Sequence, residues 1–294
     1  MISKRDFLLG LIVIFIWAGH TIVIKLITNQ FEPVTALSLR LVFTGLLFAP
    51  FFRWPGKEKF SLLCQISFLM AVVHWGTLFW AMEYLDASTA MILMQTQTIF
   101  SVIWGIVLFK EKIGWRTTLG IFIGMMGVVV LLGMPEHPPS IKGSIIIIFS
   151  MLAVSLCYAR MKKLSGVSAI NYLAHMNILA ILPVIPAMFL FEKPLDIDWG
   201  ALDYAPLIPA FLYQVILVSI SHIIWQRLLT RNDMSILPNM TLLIPFIGIL
   251  AAMVILDETL TWPMVAGGLI TMAGVGIIMI RKSQKGIRTG NLEL

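Results

Sequence analysis

Long apolar runs alternate with short polar segments along the whole chain. Each run is about 20 residues long, the length that a helix needs to cross the hydrocarbon core of a bilayer. The first run follows two basic residues, as in a signal peptide, but it continues past the roughly 7–15 apolar residues of a signal core. The pattern therefore predicts ten retained transmembrane helices, at approximately residues 7–27, 34–53, 61–84, 87–109, 115–133, 143–160, 168–191, 204–228, 234–256 and 262–280.

Residues near the end of the first half of the chain recur 147 positions later, near the end of the second half. Arg40 and His175 give a weaker match near the two starts, each seven residues into the second helix of its half. Because each half has five helices, an odd number, the second copy enters the membrane inverted. We predict an all-α integral membrane protein with ten transmembrane helices in two inverted five-helix repeats. The identical pairs are Glu111 and Glu258, Trp115 and Trp262, Gly120 and Gly267, Met125 and Met272, and Gly127 and Gly274.

Domain boundaries follow from this repeat. We expect a first repeat at residues 1–135, an outer linker at 136–142, a second repeat at 143–281 and a basic cytoplasmic tail at 282–294. With 59% hydrophobic and only 12% charged residues, the chain has too few charges to cover a water-soluble surface of its size. The two cysteines, Cys64 and Cys157, lie in apolar runs and predict neither a disulfide framework nor a metal site.

Basic residues collect in every second loop. Seventeen lysines and arginines lie on one side of the predicted helices, whereas only Lys142 and Lys193 lie in the opposite loops. Cytoplasmic loops carry such an excess, so we predict a multi-pass protein of the bacterial inner membrane with both termini in the cytoplasm. This orientation explains the net charge of +6 without a nucleic-acid partner.

Three segments resemble a known family. LMQTQTIFSVIWGIVLFKEKIGW (93–115) and MTLLIPFIGILAAMVILDETLTW (240–262) resemble the paired EamA repeats of the drug/metabolite transporter superfamily. WAGHTIVIK (17–25), followed by Pro33 and Arg40, resembles the opening helix pair of that family, so the resemblance covers roughly residues 7–280. Gln95, Gln97 and the IWQRLLTR run (224–231) are most similar to the branch that exports cysteine and O-acetylserine.

The resemblance implies a secondary transporter of small amino acids or related metabolites that works by alternating access, most simply as an exporter. Other branches of the superfamily move sugars, nucleotides, riboflavin or dicationic drugs, so another metabolite class is the alternative. An integral-membrane enzyme is the competing class of function. It would need a nucleophile with a base, a metal cluster or a phosphate-binding loop, and the sequence offers none of these.

Polar side chains fall near the predicted midplane of several helices. Counting about 1.5 Å per residue from the turn at Asp86, His74 and Gln97 lie roughly 17 Å deep on the third and fourth helices. Polar groups at this depth either line a hydrated chamber or hydrogen-bond between helices. We predict a substrate site between the two repeats. Its further candidates, at comparable positions on other helices, are Trp17, His20, Tyr213, Gln214 and Asn239.

Gln95 and Arg40 complete the predicted site. Gln95 and Gln97 point about 200° apart on a regular helix, so both can face one chamber only if the fourth helix is distorted. Arg40 is the only arginine well inside a predicted helix, and its fork of donors suits a substrate carboxylate. The alternative for this long side chain is to reach back to the membrane surface.

Two histidines and one proline are candidates for coupling or gating. His175 and His222 lie toward the predicted cytoplasmic side, where an imidazole could relay protons or be a hydrogen-bonded structural residue. Pro245 falls near the middle of the ninth predicted helix, where it removes a backbone hydrogen bond and predicts a kink that could act as a hinge. No acidic residue lies at the predicted midplane, so the sequence does not support coupling through a buried carboxylate.

The expected partners follow from these predictions. They are a small zwitterionic amino acid or metabolite as substrate and membrane lipid around the helices, and no cofactor is expected. Glycines on the fifth and tenth predicted helices allow close helix contact, either within the chain or in a homodimer.

Overall fold

The computed structural model describes residues 4–110, 114–133, 139–161, 163–164, 166–231 and 243–286. Within these residues, seven helices are long and apolar enough to cross a membrane, and three shorter apolar helices accompany them. We number them α1 (Lys4–Thr28), α2 (Pro33–Phe48), α3 (Lys57–Ala81), α4 (Ala87–Leu93 and Thr96–Phe109), α5 (Trp115–Gly133), α6 (Ile141–Met161), α7 (Ala169–Phe191), α8 (Tyr204–Leu228), α9 (Ile244–Ile255) and α10 (Trp262–Gly286).

These helices confirm the all-α, multi-span prediction. The ninth predicted helix is described only from Leu243 onward, because residues 234–242 lie outside the described residues. Short 3-10 turns at Ala49–Phe51, Pro194–Asp196 and Trp199–Ala201 lie in the connections. Large apolar side chains such as Phe122 and Leu190 are exposed on the outside of the bundle, as expected for a lipid-facing surface.

Helices α5 and α10 cross in direct backbone contact. A Cβ added to Gly267 would lie 2.8 Å from the carbonyl oxygen of Gly127, and one added to Gly274 would lie 2.6 Å from that of Gly120. Both distances are shorter than a real Cβ contact, so only glycine allows this approach. The predicted glycine contact is therefore made within the chain.

The α5–α10 crossing also shows how the two repeats are related. Thr271 Oγ1 donates to the carbonyl oxygen of Gly124 at 3.4 Å, and these two residues are themselves 147 positions apart. Residue numbers rise along α5 as they fall along α10 at successive contacts, so the helices are antiparallel. Equivalent residues that meet on antiparallel helices place a pseudo-twofold axis at this pair, which is the geometry of an inverted repeat.

The other helices of the first repeat pack on helices of the second. Helix α2 packs on α7, α1 packs on α8 and α9, and α4 packs on α6. The interior of the bundle is therefore built jointly by both repeats. The turns that hold Glu32, Asp86 and Glu192 lie at one end of the bundle, which we call the acidic end. The opposite end, which holds Lys57 and Arg116, is called the basic end.

Two helices contain π-helical segments where polar side chains enter the interior. The segment in α3 is Phe68–His74, and the segment in α8 is Tyr213–Leu217. A π segment widens the helix and shifts the direction of the following side chains, and such segments often occur at functional sites. Helix α3 is the third helix of the first repeat and α8 the third of the second, so the distortion occurs in both halves.

Candidate functional site

Four rings form a continuous column between α1, α3 and α8. The Trp75 and His222 ring centroids lie 6.1 Å apart, and those of Trp17 and His222 lie 5.7 Å apart. Trp225 extends the column, with its ring centroid 4.9 Å from that of Trp17. Trp17 is held in place because its Nε1–H donates to Ser221 Oγ at 2.9 Å. The column thus lines the interior with three indole rings and one imidazole ring.

Arg40 lies at one end of this column. Its guanidinium carbon is 3.7 Å from the centroid of the Trp75 ring, a cation–π contact, and the side chain is only 2% exposed. The alternative that Arg40 reaches back to the membrane surface is therefore wrong. Nε and Nη1 are buried without a hydrogen-bond partner among the described residues. The site thus holds a buried cation whose Nε and Nη1 are unpaired within the part of the chain that the structure describes.

His74 is fixed by a reciprocal contact between α3 and α6. Ser150 Oγ donates to the His74 carbonyl oxygen at 2.9 Å and lies 2.8 Å from His74 Nδ1. A hydroxyl has one hydrogen, so Nδ1 is the donor in the second bond. The neutral imidazole is then left with Nε2 as an acceptor.

His222 and His20 complete a group of three imidazoles around Arg40. His222 Nδ1 lies 2.8 Å from the carbonyl oxygen of Val218, which can only accept, so His222 also presents Nε2 as an acceptor. His20 is buried, and its Nε2 has no hydrogen-bond partner among the described residues. The guanidinium charge of Arg40 acts on all three rings. Contrary to the expectation from sequence, His222 belongs to this central group.

Tyr213 and Gln214 join α8 to α1 through the π segment. The Tyr213 hydroxyl donates to the carbonyl oxygen of Ile16 at 2.7 Å, and Gly19 leaves the space that this hydroxyl occupies. Gln214 is fully buried and its Nε2 lies 3.5 Å from the carbonyl oxygen of His20, while its Oε1 has no partner among the described residues. Both predicted residues therefore lie beside His20.

Gln95 and Gln97 lie at a break in α4. The α-helix stops at Leu93 and resumes at Thr96, and the Thr98 N–H donates to the Gln95 carbonyl oxygen at 3.1 Å, as in a tightened turn. The helix is therefore distorted beside both glutamines, and that their amides face one chamber stays a prediction. Gln95 is buried and Gln97 half-buried, and no contact described in the structure joins either amide to the ring column.

His175 lies apart from the central group. Its ring stacks on Phe52 with the centroids 4.0 Å apart, and its Nδ1 donates to the carbonyl oxygen of Asn171 at 2.9 Å. The Asn171 side chain in turn bonds both the N–H and the carbonyl oxygen of Arg53, each at 3.0 Å. His175 therefore belongs to a contact between α7 and the loop after α2. The structure does not bring it to the central group of histidines.

Asn239 lies outside the described residues. Pro245 lies in the first turn of the described helix α9, which begins at Ile244. A kink at Pro245 would involve the carbonyl group of residue 241, which lies outside the described residues, so the mid-helix kink stays a prediction. Thr96 is equivalent to Leu243 by the 147-residue offset, so the second segment of α4 begins at almost the same position of its repeat as the described part of α9.

Four residues of the site were not predicted from the sequence. Trp75, Trp225, Ser150 and Ser221 hold or orient the predicted residues. Trp75 follows His74 directly, and Trp225 and Ser221 lie on the same helix as His222, so proximity to the histidines was the available signal. Within the described residues, no group of three His, Cys, Asp or Glu side chains is placed to hold a metal ion.

Comparison with known proteins gives one family. The profile of the EamA-like transporter family matches residues 5–133 and 141–280. A solved crystal structure that shares 15% identity superposes with a TM-score of 0.66 and covers 97% of this chain and 99% of that chain, which shows a common fold.

Curated relatives span the same length. A protein of Salmonella typhimurium named "probable amino-acid metabolite efflux pump" is 25% identical over 284 residues, which cover 94% of this chain and 95% of that protein. A protein of Escherichia coli with the same name is 24% identical over 304 residues, which cover 98% of this chain and 100% of that protein. An uncharacterized transporter of Archaeoglobus fulgidus is 26% identical over 297 residues, which cover 97% of this chain and 100% of that protein.

Proposed function

Because the chain belongs to the EamA-like transporter family, we propose that it is a secondary transporter that exports small amino acids or related metabolites by alternating access. Two of its relatives carry the name amino-acid metabolite efflux pump, which favours this substrate class. The inverted arrangement of the repeats suits alternating access, since each half can adopt the conformation of the other around a central site.

The observation that carries this proposal is the buried guanidinium of Arg40. A charge inside the membrane is costly unless it is paired, and two nitrogens of this guanidinium, Nε and Nη1, have no partner among the described residues. The described acidic residues lie in turns and near helix ends, away from this position. A substrate carboxylate could pair with either of these nitrogens together with Nη2, because guanidinium and carboxylate form paired hydrogen bonds.

The surroundings of Arg40 suit the second charge of an amino acid. Gln214 Oε1 and His20 Nε2 are buried without partners among the described residues, and both can accept hydrogen bonds from an ammonium group. The ring of Trp17 adds a further position that favours a cation. We assign the carboxylate to Arg40 and the ammonium to this neighbouring group of acceptors and rings.

The distribution of charge gives the orientation. The basic end faces the cytoplasm by the positive-inside rule, so both termini are cytoplasmic and the acidic end faces outward across the bacterial inner membrane. His74 and His222 each present an acceptor nitrogen near Arg40, and we propose that they serve substrate binding or proton coupling.

The test is counterflow in proteoliposomes. Vesicles are loaded with unlabelled cysteine, O-acetylserine, other amino acids, sugars or nucleosides, and uptake of the same labelled compound is followed. We expect transient accumulation with a small amino acid. Cysteamine, which lacks the carboxylate of cysteine, serves as the matched competitor and should compete poorly. Absence of counterflow with every amino acid, or equal competition by cysteamine, would overturn the proposal.

A further inference from the structure

Helix α2 begins at the acidic end with its first amide groups bound by a distant carboxylate. The N–H groups of Val34 and Thr35 donate to Glu192 at 2.7 and 2.6 Å, and the Thr35 hydroxyl donates to the same carboxylate at 2.7 Å. Glu192 follows α7, in the other repeat. A carboxylate at a helix N-terminus is stabilised both by these charge-assisted bonds and by the helix dipole.

Helix α4 begins in the same way. The N–H groups of Ala87 and Ser88 donate to Glu258 at 2.6 and 2.9 Å, and the Ser88 hydroxyl donates to Glu258 Oε2 at 2.5 Å. Glu258 lies between α9 and α10, again in the other repeat. Two helices of the first repeat are thus capped by two glutamates of the second through the same set of three hydrogen bonds.

Both helices carry an acidic residue at their own N-cap position, and neither uses it. Glu32 precedes α2 and Asp86 precedes α4, both with extended backbone, and neither side chain makes a capping hydrogen bond. Asp is a favoured N-cap residue. The first amide groups of α2 and α4 therefore depend on contact between the repeats, although Asp86 is placed to cap α4 if that contact is lost.

The turn that presents Glu258 is also repeated. Asp257 has a left-handed backbone with φ of 54°, and Lys110, 147 positions earlier, has φ of 51°. Non-glycine residues adopt this conformation uncommonly, so its recurrence marks a turn built the same way in both repeats. Glu111 and Ser235, the equivalents of Glu258 and Ser88, lie outside the described residues.

We propose that Glu192 and Glu258 are paired latches that hold the acidic end of the transporter closed and release the N-termini of α2 and α4 when that end opens. The inference rests on the proposed transport cycle for its purpose, but not on the identity of the substrate. Gln30 and Asp203 exchange two further hydrogen bonds between the repeats at this end, at 2.8 and 3.1 Å. The glutamates dominate the closure because bonds to a charged group are stronger than neutral ones.

The test measures how often the acidic end opens. Cys64 and Cys157 are replaced by alanine, and Ala252→Cys provides a single reporter. Ala252 is 0% exposed and lies in a buried cluster with Ile22, Ala87 and Met91, beside the α4 N-terminus. A membrane-impermeant maleimide is added to intact cells and, separately, to everted vesicles, so that the labelled side is identified by the experiment itself.

Glu258→Gln removes the charge of one latch and keeps its size. We expect it to raise the labelling rate of the reporter from the acidic end by roughly 10- to 100-fold, the equivalent of one charge-assisted hydrogen bond. Asp257→Asn is the matched control. It removes the neighbouring charge and keeps a residue that tolerates the left-handed backbone, and it should leave the rate unchanged.

Two further variants keep the proposal testable if Glu258→Gln is poorly produced. Ser88→Ala removes only the hydroxyl donor to Glu258 and should raise the labelling rate by a smaller factor. Asp86→Ala removes the side chain that would cap α4 once Glu258 has left, and it should lower the labelling rate. Equal labelling of the Glu258→Gln and Asp257→Asn proteins, or no response to Ser88→Ala, would overturn the latch. No substrate is needed, so failure of the latch and failure of the amino-acid proposal are separate results.

Discussion

Replacement of Arg40 by methionine should stabilise the folded protein while it abolishes transport. The guanidinium contributes two buried nitrogens, Nε and Nη1, without partners among the described residues, and each such atom costs about 2 kcal/mol. The cation–π contact with Trp75 offsets about 2 kcal/mol of this total of roughly 4 kcal/mol. Methionine has a similar length and no polar donors, so a net gain of about 2 kcal/mol is expected.

The assay is thermal unfolding in detergent beside counterflow in proteoliposomes. Arg40→Met should unfold at a higher temperature than the parent protein and show no saturable counterflow. Arg40→Lys is the control, since it keeps the charge without the planar fork; it should gain no stability and bind substrate at least tenfold more weakly, the loss of about one charge-assisted hydrogen bond. A less stable Arg40→Met protein, or one that retains saturable transport, would refute the assignment of Arg40 to the substrate.

Two predictions concern the positions that hold the site in place. Gly274→Ala should destabilise the protein by about 1–3 kcal/mol, because its Cβ meets backbone atoms of α5, whereas Gly276→Ala, which meets nothing within 4 Å, should be neutral in the same unfolding assay. Ser150→Ala should raise the substrate concentration for half-maximal counterflow about 3- to 10-fold, because His74 loses its orienting partner. Ser155→Ala, which removes a hydroxyl bonded only within its own helix, should change it little, and equal effects of the two serine variants would contradict the role given to Ser150.

The fold was predictable because its signals are local or periodic. Apolar run length gives the helices, and the 147-residue offset gives their inverted relation, which the contact between Gly124 and Thr271 makes visible in the structure. The α5–α10 contact could be predicted as a close approach, since glycines recur at equivalent positions. The sequence could not predict whether these glycines meet within one chain or between two chains, because both arrangements bury the same small residues.

The site was predictable only in part. Depth calculated from a straight helix ignores the π segments in α3 and α8, which change the direction of the side chains that follow. The prediction placed His222 toward the cytoplasmic side, whereas its ring contacts Trp17 and Trp75. Trp75 was missed because a search for buried polar groups passes over an aromatic ring, although that ring holds the guanidinium of Arg40.

The α4 break and the capping contacts of the two glutamates had no sequence signal, although Glu258 was itself part of an identical pair of the repeat. Neither proline nor glycine lies at residues 94–95, where the helix is interrupted, so nothing local announces the break. Glu192 and Glu258 lie in polar turns, where a solvated carboxylate is the ordinary interpretation. Their helix partners are 158 and 171 residues away, a relation that only the folded chain reveals.

A structure determined with a saturating small amino acid, such as O-acetylserine, would show where the substrate binds. We expect the solute between the two repeats, with its carboxylate hydrogen-bonded to Arg40 beside Trp75 and its ammonium toward His20 and Gln214. A solute bound elsewhere, or an Arg40 guanidinium paired with a carboxylate of the protein itself, would contradict this expectation.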